Sequence, residues 1–593
     1  MKKIVLSTVV ATTLMFVSTG CGGDSNKNTA NAAQEHRVVS KSVSKEDRQK
    51  ALRARIESYA QYGFDINQTS QDSYILTVKE PRKSVELLLG MFNLNLSVDE
   101  EDKQALQDAF KDSKFDVKID WDKYISNTKD SVEVDFMGQD DMNTSDPIVK
   151  ILKDKKVGAY LTYNSNDELK KIDFKDMDEN ITEGKESAHI QLTNAFIDVD
   201  KLPNEQSKDR VYTINGGKVS IEYTDSFGST SVLGYKDMVC HIDKTNAYLG
   251  KQECDIPTIF MITDKSRANE INIVVNDTIL KYDAVAKNKK VKENMEFDIK
   301  SILINKDISI KDIKLSGLIE NMDEDALKTY TQLIETPSNN NKEDIAKLIS
   351  LTGKLYSNGI TMSYDASIKA IDASLDSINV SLENYSGHGE GKADNEINYH
   401  EKSTIKKLII SDSKNKANEF VLNDFRFGYG IKNIFNFIPK TMDILSVIST
   451  EENTTKIENI MQQDATKLAD ETLNYGMGFE ISTLGFDSVK FSDQKHKASN
   501  YSVGKTDFDI DVALLKNKLK AEDIINNPLM LLGYLKSDGK LVIPIKDLQE
   551  LAKKPEFAML GMLMMMAKIE GENAVFVIKF ENGKLLVNGQ PMM

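Results

Sequence analysis

Histidines and glycine-rich runs are where chemistry would first be sought in this chain, and neither has catalytic spacing. The six histidines are scattered: His36, His189, His241, His388, His400 and His496. His400-Glu401 begins the His-Glu-x-x-His pattern of zinc proteases, but Thr404 stands where the second zinc ligand belongs. The run Gly387-His388-Gly389-Glu390-Gly391 lacks the register and the following helix of a phosphate-binding loop, so we predict a flexible loop there.

Motifs for nucleotide binding or acyl transfer are incomplete as well. The sequence contains no full Walker motif and no Gly-x-Ser-x-Gly elbow. We therefore predict no catalytic, cofactor-binding or metal-binding residue, and a protein that is not an enzyme. Carboxylates are numerous, and an enzyme would be supported only if some converged in a cleft with shifted pKa values.

Cys21 is the residue with the clearest chemical role. Lys2 and Lys3 give a cationic start, residues 4–17 are mostly apolar, and Ser18-Thr19-Gly20 places small side chains before Cys21. This order is typical of a signal peptide, and the apolar stretch is shorter than the roughly 20 residues of a membrane-spanning helix. The small residues before Cys21 resemble the lipobox of bacterial lipoproteins, although Ser18 replaces the usual leucine, valine or isoleucine.

We predict that residues 1–20 are removed and that Cys21 carries lipid such as palmitate. The alternative is ordinary secretory cleavage with Cys21 as a bystander. Residues 21–43 are polar and nearly free of large apolar side chains, which is typical of a flexible tether. Gly22 follows the cysteine where inner-membrane lipoproteins commonly carry aspartate, so we predict the outer membrane, on its periplasmic face or at the cell surface.

The acidic balance of the chain limits its partners. The 593 residues carry a formal charge of −16, whereas a nucleic-acid partner requires a basic face. We therefore predict no nucleic-acid partner, and a membrane partner only through the lipid anchor.

Cys240 and Cys254 are the remaining cysteines. An exported protein meets an oxidising compartment, and the polar segment between these residues is typical of a loop joining two strands. We predict a disulfide, which would stabilise the fold by roughly 3 kcal/mol on the chain-entropy model. Two free thiols are the alternative.

Helix signals recur three times with the same sequel. A helix capped by Ser44 ends at Gly63, a second over about 342–357 ends before Gly359, and a third over about 454–474 ends near Gly476. An alternating strand pattern follows each glycine. We predict two or three related modules, divided into an N-terminal part, 44–294, and a C-terminal part, 295–593.

Alternation of apolar and polar residues dominates the sequence between these helices, as in Phe115-x-Val117-x-Ile119 and Phe508-x-Ile510-x-Val512. Asn215-Gly216, Asp538-Gly539 and Asn582-Gly583 each predict a tight hairpin. The fold class predicted is α+β with large, curved antiparallel sheets and interspersed helices.

A methionine-rich segment lies near the C-terminus, within Phe557–Ala567. Methionine suits adaptable binding surfaces, so Met559, Met562, Met565 and Met566 are candidates for an apolar binding surface. The alternative is a core helix buried beneath the C-terminal sheet.

Two family resemblances extend this interpretation. The segment Leu315–Leu327 with Asn321-x-Asp323-x-x-Ala326-Leu327, followed by Gly359 and Tyr364-Asp365, and the C-terminal Phe580–Pro591, resembles the YdgA-like family of bacterial envelope proteins. The resemblance covers about residues 295–593, and the function of that family is unassigned. Its members often keep an N-terminal membrane helix, from which the lipobox here departs.

The overall plan of lipobox, tether, opening helix, disulfide loop and Lys/Asn/Asp-rich strands is similar to that of the JlpA-type surface lipoprotein adhesins. This resemblance implies a half-open, barrel-like sheet with a hydrophobic concave face. Neither family implies a catalytic residue. The function predicted is a non-enzymatic, adhesin-like binding module with a protein partner, and the alternative is a periplasm-facing carrier of lipid or another apolar ligand.

Metabolic labelling of cells with an alkyne analogue of palmitate tests the lipid anchor. We expect label on the mature wild-type protein and none on Cys21→Ala, because the thiol of Cys21 is the acylated group. Cys240→Ala serves as the control and should remain labelled. An unlabelled wild-type protein would contradict the prediction.

Overall fold

The computed structural model describes residues 44–85, 104, 107–108, 110–138, 157–183, 185–201, 209–246, 248–265, 270–335, 342–356, 359–415, 418–493, 500–554, 557 and 559–592. The predicted signal peptide, Cys21 and the tether lie outside the described residues. These residues are mostly antiparallel strand with interspersed helices, which confirms the α+β class, and the sheet is open. Two compact units meet in sequence at 273/274, within the strand Ile271–Lys287. The boundary predicted at 294/295 stays a prediction.

No described helix combines the length and the apolar character needed to cross a bilayer.

Unit 1 opens with the predicted helix. Helix α1, Lys45–Ser58, is capped by the Ser44 side chain, which accepts a hydrogen bond from the Asp47 N–H. A 3₁₀ turn, Tyr59–Tyr62, follows and ends at Gly63, whose φ of 87° suits glycine. A short helix, α2, spans Trp121–Ser126.

Most strands of unit 1 pair with their sequence neighbours. The strands are β1 Phe64–Ser70, β2 Ser73–Val78, β3 Lys114–Ile119, β4 Val132–Gly138, β5 Val157–Tyr163, β6 Leu169–Phe174, β7 Met177–Glu183, β8 Glu186–Thr193, β9 Phe196–Lys201, β10 Arg210–Thr224, β11 Thr230–Lys244 and β12 Gly250–Thr263. The alternating residues of β2, β3 and β5 bury one face of the sheet under α1, where Leu52 and Ile56 complete the core.

A buried arginine fastens α1 to this core. Arg48, only 5% exposed, donates from Nε to the Asp167 carboxylate at 2.6 Å and from its terminal nitrogens to the carbonyls of Ile125 and Asn164. The Tyr124 hydroxyl donates to the same Asp167 oxygen at 3.0 Å. Because a buried charge needs a partner and saturated hydrogen bonds, this set holds the helix in one position.

The predicted disulfide is present in unit 1. Cys240 on β11 lies directly opposite Cys254 on β12, with their Cα atoms 4.0 Å apart, and their sulfurs are bonded. The loop between Lys244 and Gly250 closes the hairpin, as the sequence predicted.

Unit 2 begins with strands of 15 to 17 residues and ends with shorter ones, and the pairing is again antiparallel. The strands are β13 Ile271–Lys287, which begins just before the division, β14 Lys290–Ile304, β15 Ile308–Asp323, β16 Ile360–Leu375, β17 Ile378–Ala393, β18 Glu396–Asp412, β19 Glu419–Phe435, β20 Met477–Phe486, β21 Ser488–Ser492, β22 Tyr501–Val503, β23 Thr506–Leu514, β24 Leu535–Pro544, β25 Lys568–Glu570, β26 Asn573–Glu581, β27 Lys584–Val587 and β28 Gln590–Pro591.

Helices of unit 2 occupy the connections between these strands. They are α3 Glu324–Glu335, α4 Lys342–Leu355, α5 Ile438–Thr450, α6 Thr454–Tyr475, α7 Ala521–Asn526, α8 Ile545–Ala552 and α9 Met559–Met564, with a 3₁₀ helix at Pro528–Gly533. Helices α4 and α6 confirm the predicted helix, glycine and strand order, since Gly359 and Gly476 both adopt positive φ before β16 and β20. A relationship between whole modules stays a prediction.

Of the three predicted hairpins only one is a turn. Asn582 and Gly583 have φ of 51° and 72° between β26 and β27, the pattern of a two-residue hairpin. Asn215-Gly216 instead lies in a bulge of β10, where the strand changes its neighbour from β9 to β8. Asp538-Gly539 continues β24, which pairs on both sides, so its backbone groups already have partners.

Replacing the arginine at the base of α1 tests its role in unit 1. Arg48→Met should lower the free energy of unfolding by about 3–5 kcal/mol, because Asp167 is left as a nearly buried charge without its partner. Lys45→Met, which removes an exposed ion pair with Asp122 from the same helix, should change it by less than about 1 kcal/mol. Urea denaturation measures both, and equal losses would contradict the assignment.

Candidate binding face

The long strands of unit 2 present one apolar face. The strand register shows which residues share a row across β14–β19, and two adjacent rows are almost entirely apolar. One such row contains Ile302, Ile310, Ile371, Leu382, Leu408 and Leu422. A second contains Ile299, Ile313, Ile368, Tyr385, Ile405 and Phe425. We call the side of the β14–β19 sheet to which these two rows point the apolar face.

The apolar face is poorly covered. Among the large side chains of the two rows above, only Ile299 is buried, and the others are half-buried. Further along the same face, Met295, Leu315 and Met362 are 46%, 47% and 38% exposed. A core residue would be almost fully buried, so this face lacks a partner layer among the described residues.

A row of polar residues interrupts the alternation at one level of β14 to β19, and Asp277 of β13 lies close enough to Lys300 to raise the pKa of that lysine. Asp277, Asp312, Asn384 and Asp424, on β13, β15, β17 and β19, have φ of 50°, 49°, 49° and 51°. Lys300, Lys369 and Lys406 take the corresponding positions on β14, β16 and β18. Aspartate and asparagine tolerate this left-handed conformation better than other residues with a Cβ. We call these seven residues the polar row.

The polar row shifts the phase of the strands. In β15 the apolar positions are even before Asp312, at Ile308 and Ile310, and odd after it, at Ile313 and Leu315. Strands β14 and β16 to β19 change parity at the same level. The residue of the polar row adds one position to each strand and so reverses the alternation of side chains there. Both halves of each strand therefore present their apolar side chains to one face.

Ion pairs connect the polar row across the strands. Asp312 is paired with Lys300 and with Lys369, the latter at 3.3 Å, and Lys406 contacts Asp424 at 2.6 Å. The hydrogen bond from Lys300, with a smaller contribution from Lys369, lowers the pKa of Asp312. A groove of about 630 Å³ follows the row, and Lys314, Ser386 and Arg426 also line it. The lysines of the row are all paired with aspartates of the row, so the row links neighbouring strands of the sheet and offers no unpaired lysine to a ligand.

The glycine-rich run lies within β17, so the flexible loop predicted there is wrong. Gly387, Gly389 and Gly391 all belong to the apolar face, where neighbouring tyrosine rings take the space of the missing side chains. A Cβ at Gly389 would lie 2.3 Å from the ring of Tyr364, and one at Gly391 would lie 3.3 Å from the ring of Tyr399. Glycine is required at 389 by packing, not by flexibility.

A carboxylate, Glu401, lies among these tyrosines on the apolar face. Its Oε2 accepts hydrogen bonds from the hydroxyls of Tyr399 at 2.8 Å and Tyr429 at 3.0 Å. Ser403 donates to Oε1 at 3.4 Å, and the Tyr364 hydroxyl lies close enough to lower the pKa of the carboxyl group. In the register Gly389 lies between Tyr364 and Glu401, so the ring of Tyr364 reaches the carboxylate across a strand that has no side chain there. We call Tyr364, Tyr399, Tyr429, Ser403 and Glu401 the tyrosine–glutamate cluster.

Electrostatics keep the glutamate of this cluster ionised. Partial burial raises the pKa of Glu401, but the hydroxyl groups of Tyr399, Tyr364, Tyr429 and Ser403 outweigh burial, and the net pKa lies below its usual range. Burial and hydrogen bonding raise the pKa of the Tyr399 phenol, which therefore remains a donor. An anionic carboxylate thus stands within a largely apolar surface.

The opposite face carries the histidines of the same strands. His388 Nδ1 lies 2.8 Å from the Asp365 carboxylate, and His400 Nε2 lies 2.9 Å from that of Glu390. Adjacent residues of a strand point to opposite faces, so His400 and Glu401 cannot serve one site, whatever their resemblance to a protease motif. No group of three or more His, Cys, Asp or Glu side chains within the described ranges is arranged to hold a metal ion.

The methionine-rich segment is divided between core and surface. Met564 and Met566 pack against the C-terminal core with Phe576 and Leu548, whereas Met565 is 81% exposed. The side chains of Met559 and Met562 lie outside the described residues. The helix is six residues long, too short to line a groove by itself.

Comparison with known proteins gives no family. No family model, curated protein or solved structure matches this chain. The YdgA-like and JlpA-type resemblances therefore stay predictions.

The sequence analysis did not predict the tyrosine–glutamate cluster, because its members lie on three strands, β16, β18 and β19, that are well separated in the chain. One signal was present: glycines at every second position of a strand-length run, Gly387-x-Gly389-x-Gly391, indicate one bare strand face that a neighbouring ring can cover.

Substituting matched glycines tests the packing beneath this cluster. Gly389→Ala should destabilise unit 2 by about 1–3 kcal/mol, because the new methyl group displaces the Tyr364 ring. Gly317→Ala, on the other side of Tyr364 in the same row, meets only the end of Met295 at 4.0 Å and should be neutral or slightly stabilising. Thermal unfolding compares the two variants, and equal stabilities would contradict the packing role.

Proposed function

We propose that this protein is a lipid-anchored lipoprotein of the bacterial outer membrane that acts by binding, without catalysis, through the apolar face of unit 2. The single observation that carries the proposal is that this face is continuous over six strands and uncovered among the described residues. Contiguous exposed apolar surface of this kind marks interaction sites in soluble proteins.

A protein partner is the first candidate for the occupant. A sheet face without a closed cavity suits a partner surface that contributes its own apolar side chains, as in the cores of protein interfaces. In the proposed form the sheet is curved, the apolar face is concave, and the arrangement follows the JlpA-type plan of related modules carried on a tether.

An apolar ligand is the second candidate, and the tyrosine–glutamate cluster favours it. Ligand sites combine mostly apolar walls with a few polar groups that fix orientation. Glu401 and its phenols are such a group on the apolar face. A carrier of lipid in the periplasm would use them to orient a polar headgroup.

Photo-crosslinking at adjacent residues tests both candidates in living cells. A photoreactive amino acid at Leu315 faces the apolar side, and one at Lys314, its matched control, faces the other. We expect adducts from position 315 and not from position 314, because only the apolar face engages the occupant. Protein adducts support the first candidate and lipid adducts the second. Equal yields from both positions, or none from either, would contradict the use of this face.

A further inference from the structure

Glu401 is an anion without a cationic partner. No lysine, arginine or histidine of the described chain forms a salt bridge with it, and the groups that contact it are hydroxyls. Neighbouring carboxylates on the opposite face, such as Glu480 and Asp511, share Lys432. A half-buried charge on an apolar surface usually has a partner, and the described residues supply none.

The hydroxyls leave little of the carboxylate for a ligand that must donate hydrogen bonds. Oε2 already accepts hydrogen bonds from two phenols, and Oε1 accepts one from the Ser403 hydroxyl. A carboxylate has about four lone-pair sites, so these three donors occupy most of them. Its negative charge still acts on any nearby cation, whether or not that cation has N–H groups.

Aromatic rings lie beside this charge. The rings of Tyr399 and Tyr429 have centroids 5.9 Å apart, and those of Phe427 and Tyr429 have centroids 5.7 Å apart. All three rings are half-buried, so part of each remains accessible. Ring faces attract cations, and quaternary ammonium groups are bound in proteins by aromatic rings of this kind.

We propose that the tyrosine–glutamate cluster binds a quaternary ammonium group, and that its source is the choline headgroup of a phospholipid whose chains lie on the apolar face. The lipid is favoured over a small soluble cation because Leu315 and Met362 extend the apolar surface on either side of the cluster. The inference rests on the second candidate of the proposed function and assigns its ligand class.

The direct test compares choline with 3,3-dimethylbutan-1-ol, a neutral molecule of the same shape, on the full chain. Saturation-transfer NMR titrations should show choline binding about tenfold tighter, because only choline carries the charge that the rings and Glu401 attract. The comparison needs no variant. Equal affinities, or no saturable choline binding, would overturn the proposal.

Two single variants of β18 test whether the tighter binding of choline arises at the tyrosine–glutamate cluster. Glu401→Gln keeps the size and the acceptor oxygen but removes the charge, so choline should bind about tenfold more weakly while the alcohol is unaffected. His400→Gln, the adjacent residue on the opposite face, is the control and should bind choline like the wild type. An equal loss in both variants would overturn the assignment.

Vesicles identify the source of the cation. We expect the protein without its lipid anchor, Cys21→Ala, to co-sediment with phosphatidylcholine vesicles and not with phosphatidylglycerol vesicles, and Glu401→Gln to abolish the difference. Choline binding without vesicle binding would overturn the lipid source but keep the ammonium site. Lipid adducts at position 315 together with unchanged choline binding in Glu401→Gln would leave the proposed function intact and remove this inference alone.

Discussion

One constraint underlies unit 2: side chains alternate across a strand, so strands of 15 to 17 residues keep one apolar face only if their apolar positions stay in phase. The sequence changes that phase midway along each strand. The polar row absorbs the change with a left-handed aspartate or asparagine on alternate strands and a lysine on those between. Without it, half of the isoleucines and leucines of each strand would point to the other face.

The same face shows how a sheet accommodates a charge. Three glycines of β17 leave room for tyrosine rings, the rings bring hydroxyls to Glu401, and the hydroxyls keep it ionised where burial alone would raise its pKa. Packing and electrostatics are thus coupled at Gly389, because the strand must lack a side chain there for Tyr364 to reach the carboxylate. The tyrosine–glutamate cluster therefore depends on Gly389, which itself makes no side-chain contact with Glu401.

Sequence reasoning found the features that are local. Ser44 as a cap, the glycines that end the helices, and the pairing of Cys240 with Cys254 depend on neighbours in the chain or on one hairpin. It misread Asn215-Gly216, Asp538-Gly539 and the run at Gly387, because turn and loop residues have the same sequence signal when they form a bulge or leave space for a distant ring. The parity change at Asp312 was visible in the sequence, but only the register across six strands shows that every strand changes at one level.

The polar row also limits how this protein can evolve. A left-handed residue in the middle of a strand restricts positions 277, 312, 384 and 424 to aspartate, asparagine or glycine, since a β-branched side chain is strained there. Insertion or deletion of a single residue in any one of these strands would turn the side chains of half the strand to the opposite face, unless a second change in the same strand compensated for it. Homologues should therefore vary in the hairpin loops while strand lengths on both sides of the row remain fixed, so that the spacing between each such residue and its nearest hairpin becomes a signature by which distant relatives can be recognised.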